Sequence, residues 1–307
     1  MPLPKLSVIL PTFNRAASLK RALEALLRQT ATPGSYEVIV VNNNSTDDTV
    51  SVVALFDHRR VRLVAEPRQG LSYARNTGLA AARGQIVAFT DDDVEAAPDW
   101  VETIVTSLAR HPDLAGVGGR VLPAWESGRP RWLTREHWAP LALQDHGDSR
   151  RVFDGATPIG LIGANVAFRR ETFDRIGTFS PEVQRVEDGI GSTEDHELLT
   201  RLYDDGGRML YQPKMLVMAR VPGDRCDRRY HRRWHEGHGR FYALMRLPEI
   251  ERARVTAFGV PGHLLREAAS NVGAWTRCAL TADWDRAFLA ELRLRFVKGF
   301  VWTRLAR

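Results

Sequence analysis

The sequence predicts an α/β fold: a parallel sheet covered by helices on both faces. Two observations carry this. Apolar runs of strand length alternate with helix-period segments through the first 110 residues. The strand runs are apolar at nearly every position instead of every second one, as expected of strands buried on both faces.

The elements follow in order. Leu6-Ser7-Val8-Ile9-Leu10 reads as a buried strand closed by Pro11. Asn14 can cap the next element, where Leu19, Ala22, Leu23, Leu26 and Leu27 form a helical stripe. Pro33-Gly34 breaks the chain, and Tyr36 to Val41 is a second strand ending in the turn-forming loop Asn42 to Asp47. A helix reaching about His58 follows, then a third strand at Val61–Val64. Ser72 to Arg83 reads as a helix stopped by Gly84, and Ile86 to Phe89 as a fourth strand. Beyond it come a helix from Trp100 to Arg110, a strand at Val117–Leu122, an aperiodic stretch from Trp125 to Asp154, a strand at Ile162–Arg169 and a helix from Glu194 to Tyr203.

The fourth strand delivers three consecutive acids, Asp91-Asp92-Asp93. Three carboxylates in a small volume each raise the cost of ionising the next, unless a cation compensates. Hard oxygen ligands at a strand end suit Mg²⁺ or Mn²⁺, which completes its shell with substrate phosphates. The other reading is a solvated acidic turn. Ligands of such sheets bind beyond the carboxyl ends of the strands, where Pro11–Arg15, Asn42–Asp47 and Asp91–Asp93 all fall.

Charge is unevenly spread. The chain carries a net +6, but residues 225–307 hold 17 Lys+Arg against 8 Asp+Glu. That asymmetry predicts two domains, 1–222 and a basic region 223–307, with the break near Val221-Pro222-Gly223. Two cysteines are no disulfide framework, and no secretory leader is read before the first strand, so a cytoplasmic setting is expected. No apolar run approaches the roughly 18–20 residues that span a bilayer.

Several motifs together resemble the family 2 glycosyltransferases. They are Val8 to Arg15, the Asn42–Asp47 loop, Gly70 to Leu79, Phe89 to Asp93, Gly163-Ala164-Asn165, Gly177-Thr178-Phe179 and Glu194 to Leu198. The resemblance covers roughly residues 5 to 220 and implies the GT-A fold: a Rossmann-like, mostly parallel sheet flanked by helices, here with a C-terminal helical extension. It implies inverting transfer of a sugar from a nucleotide-sugar donor, with Mn²⁺ or Mg²⁺ as cofactor. Asp91 and Asp93 match the outer positions of the family's DxD motif. Asp93 would bind the metal, Asp91 the ribose or a metal-bound water, and Asp92 would lie in the donor site. Pro11, Thr12, Asn14 and Arg15 would line the nucleoside pocket, with Arg75 near the base or phosphates. Asn43 stands where many relatives carry an acid that accepts from uracil. An amide can accept or donate, so a UDP-sugar is the first expectation and GDP or dTDP remain open.

Glu194-Asp195 matches the acidic pair in which the family places its general base. Asp195 takes that role, with Glu194 as its alternative or as an acceptor-orienting partner. Acids in the first turn of a helix are also favoured by the dipole alone. Gly163, Ala164 and Asn165 would form part of an acceptor wall, or a tight turn at a strand entrance. Trp100 reads as core or as an acceptor-stacking residue.

In the basic region His231, His235 and His238 have helical spacing compatible with a metal. The resemblance implies that a histidine beyond the base can complete the metal shell; all three stay open for that role, with His235 taken first. Arg232-Arg233-Trp234 resembles part of the Gln-x-x-Arg-Trp signature of processive relatives, but Tyr230 replaces the glutamine, so a single sugar is expected to be added. Phe288, Leu292, Phe296 and Phe300 recur every four residues, flanked by Trp284 and Trp302. Such a basic amphipathic helix can lie in a membrane interface, peripheral on the cytoplasmic face of the inner membrane, or pack on protein. The acceptor would be a glycan, a lipid-linked glycan or a small molecule.

Two other functions are weighed. A sugar nucleotidyltransferase shares the alternating fold, but Leu10-Pro11-Thr12-Phe13 lacks the glycine-rich phosphate loop of that class. A non-catalytic binder of nucleotide or nucleic acid could use the arginine-rich tail. Aromatic interleaving is sparse there and no recognised module appears, so no nucleic-acid partner is expected.

Overall fold

The computed structural model describes residues 3–57, 59–184, 193–246, 251, 256–257 and 259–306. His58, at the expected end of the second helix, lies outside the described residues. Two compact units make up the chain. The first holds residues 1–124, 142–181 and 194–220, the second residues 125–141, 182–193 and 221–307. The second unit thus draws residues 125–141 and 182–193 together with the basic C-terminal region.

In the first unit, β1 (Leu6–Thr12), β2 (Tyr36–Asn42), β3 (Val61–Ala65) and β4 (Ile86–Thr90) form a parallel half-sheet in the order β3-β2-β1-β4. Helices α1 (Ala16–Leu27), α2 (Thr49–Val53) and α3 (Leu71–Ala81) alternate with these strands. Beyond β4 the parallel order gives way and the sheet becomes mixed. The strands β5 (Val94–Ala96), β6 (Gly116–Trp125), β7 (Arg151–Phe153), β8 (Asn165–Arg169) and β9 (Met209–Val221) extend the sheet through antiparallel pairs. An antiparallel neighbour needs no helical crossover, so β8 can turn directly into α5 (Arg170–Ile176). Helices α4 (Trp100–Arg110) and α6 (Glu194–Asp204) complete the unit.

Register sets the functional edge. Ile9 pairs with Phe89, and three residues further on Thr12 meets Asp92: its Oγ1 donates to Asp92 Oδ2 at 2.7 Å. Thr90 pairs with Asn165, which holds Gly163 and Ala164 beside the acids, and Thr90 Oγ1 donates to the Ala164 carbonyl at 3.0 Å. Beneath this edge Phe89, Phe168, Phe173 and Phe179 form an aromatic core of edge-on rings.

The second unit is built on α7 (Arg228–Met245), α8 (Gly262–Leu280) and α9 (Trp284–Leu305). Phe288, Leu292, Val297 and Phe300 of α9 are buried, each contributing about 1.5–3 kcal/mol on folding. Of the two readings of this apolar row, packing on protein is therefore the one seen. A Cβ on Gly239 would overlap the Phe296 carbonyl, and one on Gly299 the Glu236 carbonyl, so these glycines let α7 and α9 cross backbone to backbone. Arg232 grips Glu291 with two bonds at 2.7 and 2.8 Å, and Lys298 pairs with Glu236 at 2.9 Å. Part of the basic tail is thus matched internally.

The same unit buries His137 and His231 against Trp132 and Phe288. Burial holds His231 down to about 4 and His235 to about 3, with neighbouring cationic groups adding to it. Both values lie below the ordinary histidine range, so the unfolded chain takes up these protons first. The stability they contribute is complete above about pH 6.5 and is lost as pH falls towards those values, at up to about 1.4 kcal/mol per pH unit for each histidine. Urea unfolding of the full chain should therefore show stability dropping between pH 6.5 and 5. His231→Gln should flatten that slope. A slope unchanged by the substitution would contradict the assignment.

Candidate active site

Two arginines organise the carboxyl edge of the sheet. Arg15, just before α1, reaches Asp92 Oδ1 at 3.2 Å and Asp93 Oδ2 at 2.8 Å. Its burial works against the charge, but Asp92 and Asp93 more than offset that and raise its pKa. Arg75 projects from the middle of α3 and is 2% exposed. It lies 2.6 Å from Asp195 Oδ1, 3.2 Å from Glu194 Oε1 and 3.6 Å from Asp91 Oδ1. One guanidinium therefore joins an acid of the β4 loop to both acids that open α6. Burial opposes its charge as well, yet Asp195, Glu194 and Asp91 prevail and keep it protonated.

The acids differ in environment. Asp92 is buried, and burial lifts its carboxyl to about 7 even though Arg15 pulls the other way. Asp91 and Asp93 are partly open, with side chains 30% and 21% exposed. Glu194 is enclosed, and its Oε2 has no hydrogen-bond partner. The Asp195 side chain is 26% exposed. Its surroundings raise its pKa, chiefly by desolvation, with Arg75 the main opposing influence. Asp195 Oδ2 also accepts from the Gly163 N–H at 2.8 Å.

Gly163 has no room for a side chain. A Cβ there would overlap Arg75 Nη2 and both carboxylate oxygens of Asp195. Gly163→Ala should therefore push Asp195 off Arg75. The expected result is a loss of turnover of about tenfold or more, with nucleotide affinity kept. Steady-state kinetics beside nucleotide titration checks this, and unchanged turnover would contradict it.

The remaining predicted residues divide clearly. Pro11 and Thr12 are buried in the last turn of β1, and Thr12 supports Asp92. Asn14, at φ 52°, does not cap α1: its Oδ1 accepts from the Thr46 N–H at 2.7 Å. Asp47 Oδ2 accepts from the Ala16 N–H at 2.9 Å at that helix start instead. Asn43 does not face outward. Its Nδ2 donates to the carbonyls of Glu66 and Arg68 at 3.0 and 2.7 Å, and its Oδ1 accepts from the Gly70 N–H at 2.8 Å. It fastens the 66–70 loop, so its amide is not available to read a base.

Trp100 and Asn165 are corrected as acceptor residues. Both are fully buried, and Trp100 Nε1 donates to Asn165 Oδ1 at 2.7 Å. Asn165 Nδ2 donates to the carbonyls of Arg120 and Met215 at 2.7 and 2.8 Å. A polar side chain buried with its bonds satisfied is a core brace. Ala164 is buried as well, which leaves Gly163 as the member of that triplet in contact with Asp195.

Among the described residues no three His, Cys, Asp or Glu groups converge as metal ligands. His235 is held neutral on α7 of the second unit, with Nε2 unpartnered. The histidines of α7 thus stand outside any cluster of three potential ligands among the described residues. Two partly open carboxylates, Asp91 and Asp93, do fit a hard divalent cation that takes its other ligands from phosphate and water.

The sequence reading missed Glu66. It is buried beneath the Asn43 loop, and hydrogen bonding from Arg68, foremost, pulls its carboxyl down to about 2. Its position beside Pro67 carries no local signal.

The architecture is the GT-A fold. The chain superposes on a mannosyltransferase from Pyrobaculum calidifontis, solved with GDP-Man and Mn²⁺, with a TM-score of 0.61 at 23% identity over 95% of this chain and 86% of that one. It matches S. aureus TarS 1–349, solved with UDP, with a TM-score of 0.57 at 17% identity over 96% and 90% of the two chains. A family model described as glycosyl transferase family 2 matches residues 7–177, more than half of the sequence, and the chain belongs to that family. A glucosyl-dolichyl phosphate glucuronosyltransferase of Haloferax volcanii is 27% identical over 216 residues, 69% of this chain and 68% of that protein. Glycosyltransferase AglE of the same archaeon is 36% identical over 182 residues, 58% of this chain and 56% of that protein. The validoxylamine A glucosyltransferase of Streptomyces hygroscopicus subsp. limoneus is 39% identical over 109 residues, 34% of this chain and 24% of that one.

Proposed function

We propose that this glycosyltransferase moves a single sugar, with inversion, from a nucleoside diphosphate sugar to a hydroxyl of a glycan, lipid-linked or small-molecule acceptor. The observation that carries the reading is the Arg75 bridge between Asp91 and Asp195. It fixes a donor-side acid and an acceptor-side acid in one rigid constellation.

Asp195 is the general base, because it is the open member of the α6 pair. It takes the proton of the acceptor hydroxyl as that oxygen attacks the anomeric carbon. The bond between the anomeric carbon and the phosphate oxygen breaks, and the nucleoside diphosphate leaves. Glu194, enclosed behind it, positions Arg75. Asp93 and Asp91 would hold Mn²⁺ or Mg²⁺, which would offset the charge gathering on the leaving diphosphate. Arg15 pairs with Asp93 at 2.8 Å and places a guanidinium at the same edge, where it would meet phosphate.

UDP is the first expectation for the donor, supported by the UDP complex of TarS; the GDP-Man complex of the P. calidifontis enzyme keeps GDP open. The setting proposed is cytoplasmic, with peripheral contact to the inner membrane and a role in building surface glycan. The lipid-phosphate substrate named for the Haloferax relative favours that setting. No described helix is long and apolar enough to cross a membrane. The test is a panel of UDP-, GDP- and dTDP-sugars incubated with the enzyme and Mn²⁺, following release of nucleoside diphosphate. Turnover of one donor class supports the reading. Release from none would overturn it.

A further inference from the structure

The second unit leaves one helix face uncovered. On α8, Leu265, Ala269, Val272, Thr276 and Leu280 recur at i, i+4, i+7, i+11 and i+15, so they share one side. Leu265 is 40% exposed, Val272 53% and Leu280 83%, with Trp275 beside them at 41%. Trp284 follows just past the turn and is 57% exposed. Arg266 and Arg277 are exposed and fall along one edge of this stripe. The only acid of the helix, Glu267, points away from it and is half-buried.

From this arrangement we infer that the exposed face of α8, not the apolar row of α9, is a docking surface for a bilayer containing anionic lipid. The inference names the surface for the peripheral contact proposed above and is independent of the donor chemistry. Three features select a bilayer. The stripe is largely apolar, with Thr276 its one hydroxyl, and runs from Leu265 to Leu280, as an interfacial helix requires. Its two tryptophans are amphipathic rings suited to the headgroup level. The edge arginines complement an anionic surface. A second copy fits less well, because a two-fold antiparallel pairing of this face would bring Arg266 and Arg277 of both copies together, and α8 itself offers no acid on that edge.

The test is co-sedimentation of the full chain with vesicles of phosphatidylcholine plus phosphatidylglycerol, compared with phosphatidylcholine alone. The wild type should partition to the mixed vesicles and release as salt is raised. The double variant Val272→Glu, Trp275→Glu should bind at least about tenfold more weakly, because it puts charge on the inserted face. Arg266→Glu with Arg277→Glu should abolish the preference for anionic lipid. Leu55→Glu, at an exposed apolar position of the first unit, should bind like the wild type. Nucleotide titrations of the same preparations should be unaltered, which separates failure of this surface from failure of the donor reading. Wild-type protein left in the supernatant, α8 variants that bind equally, or a solution dimer made monomeric by Val272→Glu would each overturn the inference.

Discussion

Replacing Arg75 with methionine is expected to destabilise the chain by about 3–5 kcal/mol, the usual cost of removing one partner from a buried ion pair. Methionine keeps the length and apolar stem but leaves Glu194 enclosed, and Asp91 and Asp195 crowded, with no cation between them. Arg75→Lys should fall between the two. It keeps the charge, but a single ammonium cannot match the fork that meets Asp195 and Asp91 through different nitrogens. Urea denaturation measures the effect. A methionine variant as stable as the wild type would mean that the acids rearrange freely, and the case for a rigid constellation would fall.

Asp195→Asn is expected to lower kcat by about 10²–10⁴-fold, the range for losing a positioned general base. Asparagine nearly preserves the shape, so nucleotide binding should stay intact. The pH profile offers a second reading. Desolvation raises the Asp195 carboxyl above the ordinary aspartate range, against the pull of Arg75. Activity should therefore be lost as pH falls through a value higher than that of a solvated aspartate, and this acid limb should vanish in the variant. Glu194→Gln separates the two acids: it should loosen Arg75 and reduce stability while the acid limb remains. If instead Glu194→Gln removes the limb and Asp195→Asn leaves it, the roles are reversed.

Local pattern revealed the elements whose information is local. The apolar runs of β1, β2, β3 and β4, and the acids after β4, could be read because strand burial and the following loop lie within a few residues of each other. Contacts between distant segments could not. Arg75 meets Glu194 and Asp195 across 119 and 120 residues, and nothing around Arg75 in α3 signals those partners. Trp100 and Asn165 show the same gap, since a residue type does not tell whether a polar atom is satisfied inside the core. The antiparallel strand β9 was missed because Gln212, Pro213 and Lys214 interrupt its apolar run. In the basic region the stripe of Phe288 to Phe300 gave the helix but left membrane and protein both open as its cover, because periodicity marks a face without saying what covers it. The α8 face was overlooked for the opposite reason: glycine, serine and asparagine dilute its pattern.

The most direct test of a metal-assisted donor site is calorimetric titration of UDP, GDP and dTDP, with and without Mn²⁺, on the wild type and on Asp93→Ala. One diphosphate should bind tightly only with metal, and Asp93→Ala should remove the metal dependence. Absence of nucleotide binding under every condition, or a metal effect that survives Asp93→Ala, would contradict the assignment of the Asp91–Asp93 edge.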